Sequence, residues 1–517
     1  MTYKPDLGSS VTDTKMRTPK DVSQFSGMCS TCASNCLGTC EIGRSAVLGD
    51  QAIYPYKADI NQFASEKNYP FDFSHFNING RVFGVSGANE THDEVTFPKA
   101  DVSFEFGKTK KTKLTMPIIL PAMAKLNWKD YYSGAALAGV MVVIGEDVVG
   151  KDKDLVIKDG KVANSPLIKK MIQQFRKYYR GYGDIILQAN VDDENLGVLD
   201  YAISELGVTS VEIKFGQAAK GIQGMGQVKD IDKARKLQEK GYLIYPNPND
   251  KNVIDKYKNE VGPIFQKIGK LPLWDEDYLV KRVKELRNLG AKHVCFKTGP
   301  FDPKDLIRLI KIASIANVDL ITFDGAGGGS GNSPTKMMNE WGIPTANLES
   351  LLYKILKKMD SKGFDLPQVA ITGGLVMEDD VYKALALGGS FIQLVGIGRG
   401  AMAAAFAGHN VGKLIDNNSL PESLSKYGNT KKELFKGIRQ LKEFYGQDAL
   451  EIPAGAIGVY SFLDRVSTGL KQFMALNRKF NLSLINRDDI YPLTNIAESV
   501  SGIPQLHNSL TSLLEEL

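Results

Sequence analysis

The chain alternates short apolar runs with longer stretches in which apolar residues recur at helical spacing. Between about residues 110 and 400, runs of four to seven mostly apolar residues each end in a small or polar residue. Most of them precede a helical pattern such as EDYLVKRVKELRNLG. This alternation is typical of βα units, which build parallel sheets. There are eight runs: PIILPAM (117–123), VMVVIG (140–145), DIILQAN (184–190), SVEIKFG (210–216), HVCFKTG (293–299), DLITFDG (319–325), QVAITGG (368–374) and FIQLVG (391–396).

The number of runs and the positions of the glycines favour a closed barrel over an open sheet. A doubly wound sheet usually has five or six strands and a glycine-rich loop after its first strand. Here the first run continues into AKLN, and the glycines follow the sixth, seventh and eighth runs. We therefore predict an α/β fold, a TIM-type (β/α)8 barrel over residues 109–410, with a phosphate site at strands seven and eight.

The flanking regions do not continue the βα pattern. Residues 1–108 have no clear periodicity and are predicted to form an N-terminal segment that carries a cysteine cluster. Residues 411–517 are predicted to be a mainly helical extension, which serves as a cap, an oligomer arm or both. About sixty residues, 217–276, separate the fourth strand from its helix, and a loop of that length is usually functional or carries structure of its own.

Composition and charge exclude several classes of protein. With 43% hydrophobic and 24% charged residues, the chain is typical of a soluble globular protein with a large core. The net charge of +5 is spread among interspersed acids and bases, so no dense basic run could follow a nucleic-acid backbone. No apolar stretch reaches the roughly 18 residues of a membrane span, and the polar N-terminus lacks a signal core. We expect a cytoplasmic protein that binds neither nucleic acid nor membrane.

The segment from residue 371 to 402, ITGGLVMEDDVYKALALGGSFIQLVGIGRGAM, carries the predicted phosphate site. One run ends in Gly373 and Gly374, a second ends in Gly396, and Gly398 with Arg399 opens a helix. Backbone amides and a helix N-terminus at adjacent turns bind a dianionic phosphate, to which an arginine adds a charge-assisted contact. The alternative is that these glycines only make tight βα turns.

Two further features predict a flat, redox-active ligand. The loop in ITFDGAGGGSGNSP (321–334) is so rich in glycine and serine that we expect it to pass close to a flat ligand, although it could be only a flexible connection. Lys297 ends the fifth strand, where catalytic groups of barrels project. A cation there would stabilise the negative charge that a flavin gains on reduction. A plain surface lysine is the alternative.

Polar residues at the ends of the second, third and fourth strands predict a substrate site. In IKFGQAAKGIQGMG (213–226), Lys214, Gln217 and Lys220 offer charges and amides that suit a carboxylate substrate. Glu146 and Asp147 follow the second strand, where they hold an amino group or merely cap a helix. Polar contacts to the edge of a bound ring are expected from the third strand, through Asp184, Gln188 and Asn190.

The cysteines are concentrated at one place near the N-terminus. Their spacing, CxxCxxxCxxxC, suits an iron–sulfur cluster, with four-cysteine [4Fe–4S] ligation as the leading form. Structural zinc usually needs a longer spacer between two pairs of ligands, yet zinc and free redox thiols remain alternatives. Cys295, inside the fifth strand, is interpreted as a small core residue. The four predicted ligands are Cys29, Cys32, Cys36 and Cys40.

Taken together, these segments resemble the FMN-binding synthase domain of glutamate synthase, in its stand-alone bacterial and archaeal form. The resemblance runs from about residue 110 to 400, and three segments carry it: IKFGQAAKGIQGMG, ITFDGAGGGSGNSP and ITGGLVMEDDVYKALALGG. The C-terminal stretch IPAGAIGVYSFLDRVSTGLKQFMALNRKFNLSLINRDDI and the cysteine segment ending in CEIGRSA also resemble the stand-alone group.

The resemblance implies a TIM-type barrel with FMN at its C-terminal face. It assigns Lys297 to the flavin-facing lysine, and it brings Lys214, Gln217 and Lys220 to 2-oxoglutarate, with Glu146 near the flavin and the substrate. These residues are the expected catalytic and substrate groups. The remaining cofactor contacts that it implies are Pro121, Ala122 and Met123 against the ring, Asp324, Gly325 and Gly327 in the flavin loop, and Gly373, Gly374, Gly396 and Gly398 at the phosphate.

The chain also departs from the family pattern. Complete glutamate synthases carry [3Fe–4S] cysteines just after the last barrel strand, where this chain reads AMAAAFAGHNVGKLI. It also lacks a glutaminase domain, and its 217–276 loop differs in length from that of the family. We therefore expect ammonia from solution or from a glutaminase partner. Electrons are expected from a ferredoxin or an NAD(P)H-oxidising partner through the N-terminal cluster, and the chain is expected to form a homo-oligomer.

The resulting interpretation is an FMN-dependent oxidoreductase that acts on CH–NH2 donors. It would aminate a 2-oxo acid reductively, converting 2-oxoglutarate to glutamate, or run the reverse reaction. One alternative keeps FMN but changes the reaction to another amino-acid substrate or to an N-methylglutamate synthase-type transfer. Another alternative is a non-catalytic barrel subunit of a larger complex.

Overall fold

Eight parallel strands close into a barrel. The computed structural model describes residues 41–49, 53, 63–64, 67, 69–123, 126–218, 225–259, 264–330 and 333–515. Neighbouring strands are hydrogen-bonded all the way round, and the last strand returns to the first with Val395 opposite Ile118. All eight apolar runs are strands, so the predicted TIM-type barrel is confirmed. The strands are β1 Ile118–Met123, β2 Met141–Ile144, β3 Asp184–Ala189, β4 Ser210–Lys214, β5 His293–Thr298, β6 Leu320–Asp324, β7 Gln368–Thr372 and β8 Leu394–Gly396.

Helices follow the strands and form the outer layer. Their caps agree with local sequence: Ser165 accepts a hydrogen bond from the amide of Ile168 before the second helix, and Asp275 from that of Tyr278 before the fourth. The main barrel helices are α1 Trp128–Ala138, α2 Pro166–Arg176, α3 Val198–Leu206, α4 Glu276–Leu289, α5 Pro303–Ile315, α6 Thr345–Asp360, α7 Glu378–Gly388 and α8 Arg399–Asp416, with the short helices Val191–Asn195 before α3 and Thr335–Glu340 before α6.

Alternate residues of each strand point to opposite sides of the barrel wall. On β5, Val294 and Phe296 belong to the large core cluster between strands and helices, whereas Cys295 belongs to a second cluster inside the barrel. Cys295 is fully buried, as predicted. Because the period along a strand is two residues, Lys297 also faces the barrel interior, two positions nearer the carboxyl end.

A hairpin closes the amino-terminal end of the barrel. Strands Phe104–Phe106 and Thr112–Leu114 pair antiparallel, and Phe106 and Leu114 pack against the interior cluster. Access to the interior is therefore from the carboxyl ends of the strands, which is the end that carries the active sites of barrels of this kind.

The described residues between 217 and 276, which we call the insert, carry structure of their own, as expected for so long a connection. The strands Met225–Val228, Leu243–Tyr245 and Phe265–Ile268 form an antiparallel sheet with Phe265–Ile268 in the centre. Two helices complete the insert, Ile231–Glu239 and Lys251–Lys258.

The C-terminal region is mainly helical, as predicted, and it packs into the outer layer of the barrel. Its long helix α9, Ala454–Leu476, lies against α1 and α8. A Cβ atom at Gly408 would lie 2.5 Å from the Ala454 carbonyl oxygen, so glycine permits this close helix packing. The other elements outside the barrel are the helices Glu41–Leu48, Glu422–Ser425, Lys431–Leu434, Ile438–Tyr445, Asn495–Ser501 and Leu506–Glu515, the hairpin Val156–Lys158 with Lys161–Asn164, and the pairs Phe76–Ile78 with Ile490–Pro492 and Phe63–Ala64 with Gly329–Ser330.

None of the helices in the described part of the chain is long and apolar enough to cross a membrane.

Candidate cofactor and substrate site

The turns after β6, β7 and β8 lie side by side at the barrel mouth. The amide of Gly325 donates to the Thr372 carbonyl at 2.8 Å, and the Thr372 hydroxyl donates to the Gly396 carbonyl at 3.2 Å. Gly327, Gly373 and Gly374 have φ values of +121°, +130° and +87°, a region that side chains with a Cβ atom rarely adopt. The glycines predicted for the flavin loop and the phosphate turns therefore form one continuous backbone surface.

Arg399 connects two parts of this surface. It opens α8, and its Nη2 atom donates to the Gly327 carbonyl at 3.1 Å, so it spans from the eighth strand to the loop after β6. Burial lowers the pKa of Arg399, and the nearby Asp324 carboxylate opposes that shift. The Asp324 carboxylate in turn accepts the Ala218 amide at 3.1 Å, which fixes the chain just after β4.

Thr345 is a member of this surface that the sequence analysis missed. It is the first residue of α6, and its buried hydroxyl lies 2.7 Å from the Gly373 carbonyl and 3.1 Å from the Ala326 carbonyl. A Cβ atom at Gly325 would come within 2.4 Å of the same hydroxyl. Thr345 therefore sets the spacing between the flavin loop and the turn after β7.

Lys297 and Glu212 occupy the barrel interior below the mouth. Both are buried, and Glu212 lies on the interior-facing side of β4. Gln188 Nε2 donates to Glu212 Oε1 at 2.5 Å. Burial raises the pKa of Glu212, whereas Lys297, the Gln188 hydrogen bond and Lys214 act in the opposite direction. The two lysines and the carboxylate thus form one coupled group.

Glu212 was also missed by the sequence analysis, although a signal existed. It stands two residues before Lys214 in SVEIK, and this spacing places both side chains on one face of a strand. A charged residue in the middle of a buried strand rarely occurs without a partner.

Two of the three predicted substrate residues, Lys214 and Gln217, lie together with Glu146 at the end of β4. The ammonium of Lys214 lies 2.5 Å from Glu146 Oε1, and it also donates to Gln217 Oε1. Lys214 is 6% exposed and Glu146 15% exposed, so this ion pair is largely shielded from water. Lys220 lies outside the described residues.

The residue after Glu146 has an unusual backbone conformation. Asp147 has φ +63°, and its amide donates to Asp193 Oδ2 at 2.8 Å. Burial raises the pKa of Asp193 to about 7, and the charge of Asp147 adds to this shift. Asp147 is therefore neither free nor a helix cap, but part of a buried polar junction between the loops after β2 and β3.

The end of β1 forms the remaining wall of the mouth. Pro121, Ala122 and Met123 are half-buried, and Pro121 lies close to Gly398, where an added Cβ atom would be 3.4 Å from the proline ring. Tyr131 Oη donates to the Pro121 carbonyl at 3.2 Å, and Tyr132 donates to that of Met123. Burial raises the pKa of both tyrosines, so both remain neutral donors that hold the end of this strand.

Two residues of the third strand have other roles than expected. Asp184 begins β3, so it lies at the opposite end of the barrel, where it accepts the Ser210 hydroxyl at 2.5 Å. The expected contact between Asp184 and a bound ring is therefore wrong. Asn190 caps the helix Val191–Asn195 by accepting the Asp193 amide at 3.0 Å, and of the three only Gln188 faces the mouth from the interior.

The predicted iron–sulfur ligands, Cys29, Cys32, Cys36 and Cys40, lie outside the described residues. Within the part of the chain that the structure describes, no group of three or more histidine, cysteine, aspartate or glutamate side chains could hold a metal ion. The cluster remains a prediction from the sequence.

Among solved structures, the chain is similar to a double variant of flavocytochrome b2 with sulfite bound, at 15% identity and a TM-score of 0.47 over 85% of this chain and 81% of that one. A lactate oxidase from Pediococcus acidilactici has 15% identity and a TM-score of 0.43 over 81% and 83%. A soluble mutant of the membrane-associated (S)-mandelate dehydrogenase from Pseudomonas putida has 12% identity and a TM-score of 0.43 over 81% and 88%.

None of the curated protein sequences compared with the chain matches it. One family model does match, and it covers the half of the barrel that contains Lys297, the flavin loop and the phosphate turns. Residues 272–407, from just before α4 to within α8, match the conserved region of glutamate synthase, in agreement with the resemblance seen in the sequence over that part of the chain.

Proposed function

We propose that this protein is an FMN-dependent oxidoreductase of the glutamate synthase type. The observation that carries the proposal is the convergence at one mouth of three glycine turns, Arg399 and the buried Lys297, all within the segment that matches the glutamate synthase region. A phosphate site and a buried cation at the same mouth fit a phosphorylated redox cofactor.

The residues fit FMN on two structural grounds. The turns at Gly327, Gly373 and Gly374 present backbone without a Cβ atom, so a phosphate and a flat ring can approach them closely. Thr322 Oγ1 and Gln188 Oε1 are buried and have no hydrogen-bond partner among the described residues. Unsatisfied buried polar atoms beside a mouth are what a polar ring edge would satisfy.

Each part of the site has a role in this proposal. When bound, FMN supplies two-electron hydride transfer. Lys297 would stabilise negative charge on the reduced ring, and Glu212, which accepts a hydrogen bond from Gln188, interacts electrostatically with this lysine from below. The glycine turns and Arg399 would hold the phosphate, while Pro121, Ala122 and Met123 would pack against the ring and exclude water.

The substrate in this proposal is a 2-oxo acid, 2-oxoglutarate, which is aminated to glutamate, or glutamate in the reverse direction. Lys214 and Gln217 would bind a carboxylate, and Lys214 would leave its pair with Glu146 to do so. Glu146, released from the lysine, would then accept the ammonium group that distinguishes the amino acid from the oxo acid. The reaction class is therefore oxidoreduction at a CH–NH2 donor.

Electron and ammonia supply complete the proposal. Electrons would come from a ferredoxin or NAD(P)H-oxidising partner through an iron–sulfur cluster at the N-terminal cysteines, and ammonia from solution or a glutaminase partner. This part rests on the sequence alone. Anaerobically reconstituted protein should bind about four irons per chain, and the variant Cys32→Ala should lose them while keeping its flavin.

The cofactor is tested by titrating the apoprotein with FMN and, as the matched control, with riboflavin, which lacks the phosphate. We expect a flavin absorbance spectrum and at least roughly tenfold tighter binding of FMN, a difference of about 1.4 kcal/mol. In Arg399→Met the difference in affinity between FMN and riboflavin should become smaller, because only FMN has the phosphate that loses a contact. A protein that cannot be reconstituted with any flavin would contradict the proposal.

The reaction is tested by supplying the flavin-loaded protein with 2-oxoglutarate, ammonium and a chemical reductant, and by measuring glutamate. Lys214→Met should abolish glutamate formation without loss of the flavin. If the loaded protein forms no glutamate but oxidises or reduces a different amino or oxo acid, the cofactor assignment stands and the substrate assignment fails.

A further inference from the structure

The insert contacts the barrel next to the substrate residues. Lys267, in the central strand of the insert, forms an ion pair with Asp147, and Lys270 forms one with Asp192, with 3.1 Å between Nζ and Oδ1. Asp147 follows β2, and Asp192 lies in the short helix Val191–Asn195 after β3, so two lysines of the insert bind two strand-to-helix connections of the barrel mouth.

The two contacts differ in their surroundings. The Lys267 ammonium is 16% exposed and lies 3.6 Å from the ring centroid of Tyr242, a buried residue of the insert. A Cβ atom at Gly150 would come within 2.6 Å of Asp147 Oδ1 and 3.1 Å of Lys267 Nζ. Lys270 is 34% exposed and also donates to the Gly241 carbonyl at 2.7 Å, and its partner Asp192 is 5% exposed, whereas Asp147 is 30% exposed. Neither ion pair is the more buried as a whole, but Lys267 is the better shielded of the two lysines and it binds the residue next to Glu146, so it makes the more consequential contact for the substrate residues.

Asp147 needs the stabilisation that Lys267 gives. Its φ of +63° costs a residue with a Cβ atom about 1 kcal/mol. The conformation is held by the Asp147 amide on Asp193 Oδ2 at 2.8 Å, by Lys151 Nζ on the Asp147 carbonyl at 3.0 Å, and by Lys267 on the carboxylate. Without Lys267, the Asp147 carboxylate would face Asp193 with less compensation by positive charge.

The position of Asp147 bears directly on Glu146. The two residues are adjacent, so the backbone conformation of Asp147 determines where the Glu146 carboxylate stands relative to Lys214, 2.5 Å away. A continuous chain of contacts thus leads from the insert through Asp147 and Glu146 to Lys214.

We propose that the insert is a specificity element of the substrate site and that Lys267 is its positioning residue, because its ammonium holds Asp147 and thereby places Glu146 against Lys214. We call the Lys267–Asp147 ion pair the insert latch. The inference rests on the proposed function in that 2-oxoglutarate is taken as the ligand of Lys214. Lys267 touches neither flavin nor substrate, and acts through the loop after β2.

The latch itself is tested without any substrate. Lys267→Met keeps the apolar stem but removes the charge, and Lys270→Met is the matched control on the other loop. In flavin-loaded protein, we expect amide hydrogen exchange in residues 141–151 to be at least fivefold faster in Lys267→Met, with less than a twofold change in Lys270→Met. Unchanged exchange in Lys267→Met would overturn the latch.

The effect on the site is tested by titrating the same proteins with 2-oxoglutarate and following the flavin absorbance. Lys267→Met should bind 2-oxoglutarate at least fivefold more weakly, with unchanged flavin content, and Lys270→Met within twofold of the parent. Equal weakening in both variants would indicate general loosening of the insert and overturn the specific role of Lys267.

The experiments distinguish a failure of the proposed function from a failure of the inference about Lys267. If the parent protein binds flavin but gives no response to 2-oxoglutarate, the substrate part of the proposed function fails and the link to 2-oxoglutarate falls with it, while the exchange experiment still decides the latch. If the parent responds and Lys267→Met responds equally well, the proposed function stands and the inference is wrong.

Discussion

The hydroxyl of Thr345 lies 2.7 Å from the carbonyl oxygen of Gly373, and this contact joins the start of α6 to the turn after β7. Because the same hydroxyl also lies 3.1 Å from the Ala326 carbonyl, one side chain connects the loop after β6 with that turn. The loop predicted to contact the flavin ring and the turn predicted to bind its phosphate therefore share a polar anchor, the Thr345 hydroxyl.

Replacing this anchor should weaken FMN binding. Thr345→Val keeps the shape of the side chain but leaves the buried Gly373 carbonyl without its donor, which costs about 1–3 kcal/mol, whereas the Ala326 carbonyl keeps the amide of residue 345 at 3.2 Å. We expect the Kd for FMN, measured by quenching of flavin fluorescence, to rise at least fivefold.

Thr345→Ser is the matched control, since it keeps the hydroxyl and removes only a methyl group. Its Kd should stay within about twofold of the parent. If the serine and valine variants lose affinity equally, the methyl group and not the hydrogen bonds matters, and the anchor role of Thr345 is refuted.

The charge of Lys297 should set the flavin potential. Lys297 is 6% exposed inside the barrel, so its field is poorly screened. Lys297→Met removes the positive charge that favours the reduced ring, and we expect the midpoint potential to fall by about 30 mV or more, equivalent to about 1.4 kcal/mol for two electrons. Potentials are measured by dye-linked reduction of the loaded protein.

Lys297→Arg keeps the charge and provides the control for this measurement. Its potential should remain closer to that of the parent than the potential of Lys297→Met does. A methionine variant with an unchanged potential would show that Lys297 lies too far from the ring to act on it.

The barrel and its mouth were predictable because both follow from local patterns. Strands β1 to β8 are short apolar runs, and the glycines after β6 to β8 stand next to them in sequence, so the barrel topology alone brings Gly327, Gly373 and Gly398 together. Lys214 and Lys297 stand at the carboxyl ends of their apolar runs, so the same topology brings them to the mouth. Whatever depends on the position within one strand was available from the sequence.

Two of the contacts that the sequence did not predict join distant segments. Thr345 reaches Gly373 only because α6 begins beside the turn, and Lys267 reaches Asp147 only through the fold of the insert. Asp184 was assigned to the wrong end of the barrel because its place at the start of β3 was overlooked. Glu212 could have been found from its alternation with Lys214.

Asp193 should make the folded protein less stable as the pH rises. Burial, followed by the charge of Asp147, raises its pKa to about 7 from an ordinary value of 3.8. The folded state therefore binds a proton more tightly than the unfolded state, so Asp193 reduces stability progressively from about pH 4 to pH 7. Asp193→Asn keeps an oxygen acceptor for the amides of Asp147 and Asn190 but cannot ionise.

We expect the advantage of Asp193→Asn over the parent in the free energy of unfolding, measured by urea unfolding, to increase by roughly 2 kcal/mol as the pH rises from 5 to 8. The difference should be nearly constant above pH 8. A variant that is less stable than the parent to the same extent at every pH would mean that the hydrogen bonds outweigh the titration.

Asp319 should have the opposite pH dependence. It lies at the closed end of the barrel, where the amides of Lys108 and Val294 donate to it at 3.0 and 2.9 Å, and Arg287 Nη2 at 2.9 Å. Burial favours the neutral acid, but His293, whose Nδ1 lies 3.7 Å from Asp319 Oδ1, and the hydrogen bonds from these donors outweigh it and lower the pKa to about 2. The ionised carboxylate thus stabilises the fold above pH 4, and this contribution is lost as the pH falls from about 4 to 2.

Asp319→Asn should therefore lower the free energy of unfolding at pH 7 by at least about 2 kcal/mol, the value of the pKa shift. The loss should shrink as unfolding is measured at pH 4 and then at pH 3, because the parent itself loses the charge. Asp365→Asn is the control: Asp365 pairs with Lys108 at 2.7 Å on the surface and is 75% exposed, so its loss should change stability by less than about 0.5 kcal/mol. An equal loss for Asp319→Asn at pH 7 and pH 3 would mean that packing, and not the charge, accounts for the role of Asp319.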